Sequence, residues 1–115
     1  MGLDQYTHTR PASEPADSEF KSELFYWRKH ADLQGWMEAL WRSQGGEGEF
    51  NMVELDLTSE DLDQLAKDMA TGLKTTQGFF FGQSYPEDTE ATLEFITKAR
   101  EELAKGRKVS YLSWW

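Results

Sequence analysis

Apolar residues recur at the spacing of an amphipathic helix in three segments of the chain. In the first, five of them occupy positions i, i+3, i+4, i+7 and i+8: Leu33, Trp36, Met37, Leu40 and Trp41. This spacing puts all five on one helical face, and Gly45 and Gly46 end the helix after its last turn. We expect this face, with Trp36 and Trp41, to pack against the core.

Capping signals and spacing predict two further helices. Thr58 and Asp61 have the separation of a capping box, and the helix after them buries four apolar residues: Leu62, Leu65, Met69 and Leu73. The third helix begins at residues 84–88, where a proline and two acidic residues suit a first turn. Its predicted stripe has four residues at helical spacing: Leu93, Ile96, Arg100 and Leu103.

Four shorter segments have the character of strands: residues 3–7, 50–55, 75–82 and 108–115. Residues 20–29 are ambiguous, because the run Phe25, Tyr26 and Trp27 fits either a buried strand or the first turn of a helix. Residues 9–19 combine two prolines with Ser, Glu and Asp, which is typical of a loop excursion. Since both chain ends carry strand patterns, we expect the terminal strands to pair with each other.

These elements predict one α+β domain over residues 1–115. A chain of 115 residues has the size of a single domain. Helices and short strands in this proportion pack most readily as two layers. We therefore expect three helices packed on one face of a small, mainly antiparallel sheet.

Composition narrows the classes of function. The chain has 21 acidic and 12 basic residues, for a net charge of −9, which disfavours direct nucleic-acid binding because phosphate contacts need Lys and Arg. It has no cysteine, which excludes disulfides, thiolate metal sites and cysteine nucleophiles. No apolar run reaches the roughly 18 residues that cross a bilayer, and the first residues do not resemble a signal peptide. We expect a cytoplasmic protein that does not contact a membrane.

Acidic residues are concentrated in one region, which we consider a candidate binding face: Glu54, Asp56, Glu60, Asp61, Asp63 and Asp68. One interpretation is a solvated helix face. The other is a surface that attracts a basic partner, such as a protein that normally holds DNA or RNA.

No catalytic or metal-binding pattern is present. His8 and His30 lack a second ligand at a metal-binding spacing, and Ser84 lacks the second glycine of a nucleophile elbow. The pattern therefore favours a non-enzymatic protein with no cofactor and no metal. The alternative is an anion or nucleotide pocket, or a small enzyme site, built on one compact cluster: Trp27, Arg28, Lys29 and His30. Arg28 could equally cover the Trp27 ring.

Aromatic residues are abundant, with seven Phe, four Tyr and five Trp. Three of them form the run Phe79, Phe80 and Phe81 between two glycines. Successive side chains alternate in an extended segment, so at least one of these rings needs cover from a helix, a loop or another chain. The run is interpreted either as core packing or as an exposed aromatic patch for dimerisation or partner binding.

Four sequence elements together resemble a family of small, uncharacterised proteins encoded mainly by bacteriophages: Met1-Gly2-Leu3-Asp4, Tyr26-Trp27-Arg28-Lys29, Gly35-Trp36-Met37 and Gly78-Phe79-Phe80-Phe81-Gly82. The resemblance covers most of the chain outside the proline-containing excursion and ends near Ser113-Trp114. It departs at Gln5, where the family pattern has Met. It implies expression inside an infected bacterium and carries no known chemistry.

The leading hypothesis is an acidic, non-enzymatic protein that binds and modulates a host or phage protein, including one that itself binds nucleic acid. Its contact surface would be the acidic face or the aromatic patch. Self-association into a homo-oligomer is the remaining alternative.

Overall fold

The computed structural model describes residues 3–15, 18–73 and 86–115, which form a four-stranded antiparallel sheet and three helices. The strand order is β2-β1-β4-β3. The elements, in chain order, are β1 (Asp4–Pro11), β2 (Ser22–Arg28), α1 (Ala31–Ser43), β3 (Leu55–Leu57), α2 (Ser59–Thr71), α3 (Pro86–Ala104) and β4 (Arg107–Trp114). The predicted α+β class with three helices and an antiparallel sheet is confirmed.

All three helices contribute to one core on one face of the sheet. Their buried residues join sheet residues in a single cluster: Leu33, Met37, Leu62, Leu65, Phe95, Ile96, Ala99, Trp27, Leu55, Leu57, Val109 and Tyr111. Strand register places the sheet members on the same side, because Tyr111 lies opposite Leu55 and Val109 opposite Leu57. We call the other side of the sheet the open face.

The terminal strands pair along their whole length, as expected. β1 and β4 are antiparallel, with Asp4 opposite Trp114 and Pro11 opposite Arg107. The prediction that a loop begins at residue 9 is therefore wrong at its start, because hydrogen bonding to β4 extends the strand to Pro11. The ambiguous segment after it is strand β2, whose rings at Phe25 and Trp27 pack against Phe95 of α3.

The predicted start of α2 and the predicted end of α1 are both confirmed. Thr58 and Asp61 form the predicted capping box at α2, with both reciprocal hydrogen bonds present. α1 ends just before Gly45, which adopts a positive φ of 95°. Trp36 and Trp41 of α1 pack against the core cluster but are only half-buried.

The predicted strand over residues 50–55 is wrong. Met52 has a positive φ of 60°, a conformation that interrupts an extended chain. Phe50 is instead a buried ring stacked between Trp41 and Tyr111, with centroids 5.0 Å and 6.1 Å away. The extended segment begins only at Leu55, as strand β3.

The predicted inward stripe of α3 is shifted by one position at two places. Leu93 and Arg100 are exposed, whereas Thr92 and Ala99 are buried. Thr92 tolerates burial because its hydroxyl donates to the Asp88 carbonyl at 2.7 Å and accepts the Trp27 indole N–H at 3.1 Å. The predicted strand over residues 75–82 lies outside the described residues.

Candidate functional site: the open face of the sheet

The open face is built from every second residue of the strands. On β1, Gln5, Thr7 and Thr9 point toward the helices and are buried. The residues between them face the other way, since side chains alternate along a strand. Register aligns the open-face residues in rows across the sheet: Arg28, Asp4 and Trp114; Tyr26, Tyr6 and Leu112; Glu23, His8, Ser110 and Asp56; Arg10 and Lys108.

Aromatic and apolar side chains occupy one half of this face. We call them the Tyr–Trp patch: Tyr6, Tyr26, Leu112 and Trp114. Tyr26 is 43% exposed and Trp114 57% exposed, and the other two are half-buried. The rings of Tyr6 and Tyr26 lie 5.2 Å apart between centroids. Exposed rings of this size, held side by side on a sheet, present apolar area that a partner can cover.

Asp4 lies inside the patch and fixes one of its rings. The Tyr26 hydroxyl donates a hydrogen bond of 2.5 Å to Asp4 Oδ1. This bond, together with partial burial and the charge of Asp4, raises the pKa of Tyr26 to about 12. Among the residues that the structure describes, no Lys, Arg or His lies within 4.0 Å of the Asp4 carboxylate.

The other half of the open face is closed by a polar cluster around Glu54. We call His8, Lys21, Glu54 and Ser110 the Glu54 cluster. Glu54 Oε1 accepts from His8 Nδ1 at 2.9 Å and from Ser110 Oγ at 2.8 Å, with Lys21 Nζ 3.6 Å away. Burial alone would raise the pKa of Glu54, but the hydrogen bonds from His8 and Ser110 outweigh burial, so its pKa is lowered.

Arg10 closes the same half of the face at the end of β1. Its guanidinium makes two hydrogen bonds to the Asp56 carboxylate, at 2.9 Å and 3.0 Å, and a third to the Glu14 carbonyl at 3.0 Å. Bidentate pairs of this kind have well-defined geometry. Glu14 belongs to the β1–β2 connection, which thereby covers the Arg10 end of the sheet.

The Glu54 cluster is not arranged for nucleophilic catalysis. Ser110 and His8 both bind the same oxygen of Glu54, so the imidazole does not hold the hydroxyl as a base would. Ser110 is also 1% exposed. Across the described residues there is no group of three His, Asp or Glu side chains that could hold a metal ion.

The structure divides the six predicted acidic residues among several elements and partners. Glu54 and Asp56 serve the closed half of the open face. Glu60 is exposed in the first turn of α2, and Asp61 is committed to the capping box. These four side chains therefore do not form one continuous acidic surface.

The remaining two predicted acidic residues have partners on neighbouring helices. Asp63 receives a 2.9 Å hydrogen bond from Arg100 of α3, and Asp68 receives one of 2.8 Å from the Trp36 indole N–H. Arg100 and Trp36 are 37 and 32 residues away in sequence. Neighbouring basic residues in the sequence could not indicate these pairings.

The predicted cationic–aromatic cluster is not gathered at one site. Trp27 points into the core and is 3% exposed, whereas Arg28 points to the open face opposite Asp4. Lys29 is exposed at a positive φ of 59°, where the chain turns from β2 toward α1. Alternation along β2 separates the aromatic member of the cluster from the cationic ones.

His30 is buried at the start of α1. Its backbone N–H donates to Gln5 Oε1 at 2.8 Å and its carbonyl accepts from Gln5 Nε2 at 3.0 Å. Burial lowers the pKa of His30, against the raising effects of Asp88 and Asp32. The side chain is therefore part of the interior and does not line an exposed pocket.

A buried polar network on the helix side was not predicted from the sequence. We call Gln5, Gln34 and Tyr111 the Gln5 network. Gln5 Nε2 donates to the Tyr111 hydroxyl at 2.9 Å, and that hydroxyl donates to Gln34 Oε1 at 2.6 Å. All three side chains are fully buried. The network ties β1, β4 and α1 together and satisfies the buried amide of Gln5.

The open face itself was also missed, and a weak signal for it exists. Tyr6 in the first strand and Trp114 in the last are large rings on two strands that were expected to pair. The predicted patch at Phe79, Phe80 and Phe81 lies outside the described residues. Comparison with protein-family models, curated proteins and solved structures finds no match to this chain. In the described part, no helix combines the length and apolar character needed to cross a membrane.

Proposed function

We propose that this chain is a non-enzymatic binding protein that contacts and modulates a host or phage protein through the Tyr–Trp patch. The observation that carries the proposal is the exposure of Tyr26 and Trp114 on the open face. The three described helices pack against the opposite face of the sheet. Tyr and Trp are the residues most often found as anchors at protein interfaces. Leu112 and Tyr6 complete a contiguous surface beside them.

The strands that carry the patch, and the ring of Tyr26, are held in place before any partner binds. Tyr6 and Trp114 lie on the paired terminal strands, and the hydrogen bond to Asp4 fixes the Tyr26 ring. Side chains that are already ordered lose less conformational entropy on binding. This order supports a surface that recognises a specific partner.

The acidic residues are weaker support for a contact surface than the patch. Arg10 and Arg100 pair with Asp56 and Asp63 within the chain, and Glu54 is enclosed by its own cluster. Among the described residues, the polar groups of the open face are largely committed to internal hydrogen bonds, which favours binding over catalysis. The location in an infected bacterial cytoplasm rests on the family resemblance.

Affinity capture from a bacterial host lysate tests the proposal when it compares two matched variants. Trp114→Ala removes the most exposed ring of the patch. Leu93→Ala removes an exposed apolar side chain, 48% accessible, on α3 in the helix layer. We expect wild type and Leu93→Ala to recover the same stoichiometric protein, and Trp114→Ala to lose it.

Two results would contradict the proposal. One is equal recovery of the captured protein by Trp114→Ala and Leu93→Ala. The other is a wild-type dimer in sedimentation that Trp114→Ala converts to monomer, because the patch would then bind a second copy of the chain.

A further inference from the structure

The geometry points to a basic protein segment as the occupant of the Tyr–Trp patch, with an Arg or Lys side chain lying against the rings beside Asp4. This inference rests on the proposed function and names the chemistry of its partner. It also replaces the predicted acidic face as the place where a basic partner would be recognised.

Three aromatic residues of the patch are neighbours of Asp4 on the sheet. In the strand register, Trp114 lies directly across from Asp4 on β4, and Tyr6 is the next open-face residue along β1. Tyr26 contacts the carboxylate through its hydroxyl. Ring faces attract Arg and Lys side chains through their quadrupole, and a nearby carboxylate adds a charge partner.

Among the described residues, Asp4 has no basic side chain within 4.0 Å, unlike Glu54 and Asp56 in the other half of the open face. Glu54 lies near His8 and Lys21, and Asp56 is paired with Arg10. Within the described ranges, the Asp4 side chain accepts one hydrogen bond, which the neutral Tyr26 hydroxyl donates. A carboxylate has two oxygens and about four acceptor positions. Asp4 therefore keeps acceptor capacity for a cation from outside the chain.

The charge of the whole protein favours the same class of partner. A net charge of −9 attracts a basic segment at long range and raises its association rate at low salt. The contact at the patch then decides where that segment binds.

Arg28 makes the inference sharply testable. It lies opposite Asp4 on β2 and is exposed. Its charge repels a basic occupant and would attract an acidic one, so removal of this charge has opposite effects on the two classes of partner.

Peptide binding by the full chain is the experiment, with fluorescence anisotropy as the readout. The probes are three fluorescein-labelled peptides of equal length, built from Gly and Ser with four Arg, four Glu or no charged residue. We expect the Arg peptide alone to bind, with affinity that falls as salt is raised. Arg28→Ala should strengthen its binding, and Trp114→Ala should weaken it.

A charge-matched pair of variants separates local from long-range effects. Asp4→Asn keeps the oxygen that accepts from Tyr26, and Glu101→Gln removes the same charge from an exposed position on α3. A surface ion pair contributes up to about 1 kcal/mol, so Asp4→Asn should weaken binding by about fivefold. Glu101→Gln should change it much less.

Several results would overturn the inference. Equal effects of Asp4→Asn and Glu101→Gln would show that only the overall charge attracts the peptide. Binding of the Glu peptide that Arg28→Ala removes would identify an acidic occupant. No preference for the Arg peptide would exclude a basic one. In each case, capture that still depends on Trp114 leaves the proposed function standing, and capture independent of Trp114 overturns both.

Discussion

The two faces of the sheet use polar residues in opposite ways, although both are built from the same strand. On the helix side, Gln5 is fully buried, and both ends of its amide are hydrogen-bonded to Tyr111 and to the backbone of His30. On the open side, the adjacent Asp4 is half-buried, and its side chain accepts one hydrogen bond from the described residues, from Tyr26. The polarity of a residue in β1 therefore does not indicate whether it is buried. Burial depends instead on whether the side chain has hydrogen-bond partners inside the fold.

The same contrast separates two tryptophans. Trp27 lies in the core with its indole N–H bonded to Thr92, and Trp114 lies on the open face. A buried Trp and an exposed Trp differ by most of the free energy that burial of the ring provides. Substitutions at matched positions on the two faces test this division.

The largest expected effect is on stability, at Trp27. Trp27→Ala should lower the free energy of unfolding by about 3–5 kcal/mol because it leaves a cavity beside Phe25 and Phe95. Trp114→Ala should change it by only about 0.5 kcal/mol. Urea denaturation followed by circular dichroism measures both. Similar losses from the two substitutions would mean that Trp114 belongs to the core.

A second pair removes one tyrosine hydroxyl from each face. Tyr111→Phe should cost about 1–3 kcal/mol, because it removes the central partner of buried Gln5 and Gln34. Tyr26→Phe should cost at most about 1 kcal/mol, since its bond to Asp4 is exposed to solvent. The same denaturation experiment applies. A cost for Tyr26→Phe that exceeds that of Tyr111→Phe contradicts the account.

Smaller effects are expected from pH, and both have the same sign. The lowered pKa of His30 means that the unfolded chain takes up a proton as pH falls below 6.5, before the folded chain does. The lowered pKa of Glu54 acts likewise below 4.5. Stability should therefore fall with acidification in both windows. In thermal melts below pH 4.5, wild type should lose stability more steeply with falling pH than Glu54→Gln, because the variant lacks the Glu54 contribution. Identical slopes there would contradict the lowered pKa of Glu54.

The helices and the pairing of the chain ends could be predicted from local signals. Thr58 and Asp61 mark the start of α2 by a capping box within four residues of sequence. The apolar stripe of α1 is uninterrupted and predicts that helix directly. The buried face of α3 was harder to predict, because it includes Thr92, whose burial depends on two hydrogen bonds that the sequence does not reveal. A polar residue in the stripe therefore shifted the predicted face toward Leu93.

The open face could not be derived from the sequence for a similar reason. The sequence of β1 does not show which residues face the helices, because the buried residues Gln5, Thr7 and Thr9 are as polar as the residues between them. The predicted acidic face also failed because its members pair with residues that are distant in the sequence. Arg10, for example, is 46 residues from its partner Asp56. Such pairings depend on strand order, which no local pattern specifies.

The difference between the two faces can be read in a single spectrum. Each of the five tryptophans contributes one indole N–H signal to a ¹⁵N correlation spectrum, and titration with the Arg peptide reports which rings it contacts. The account predicts a progressive shift of the Trp114 indole while that of Trp27 stays fixed. Shifts at Trp36 and Trp41 of α1 with Trp114 unchanged would contradict it, because the helix layer would then be the binding surface.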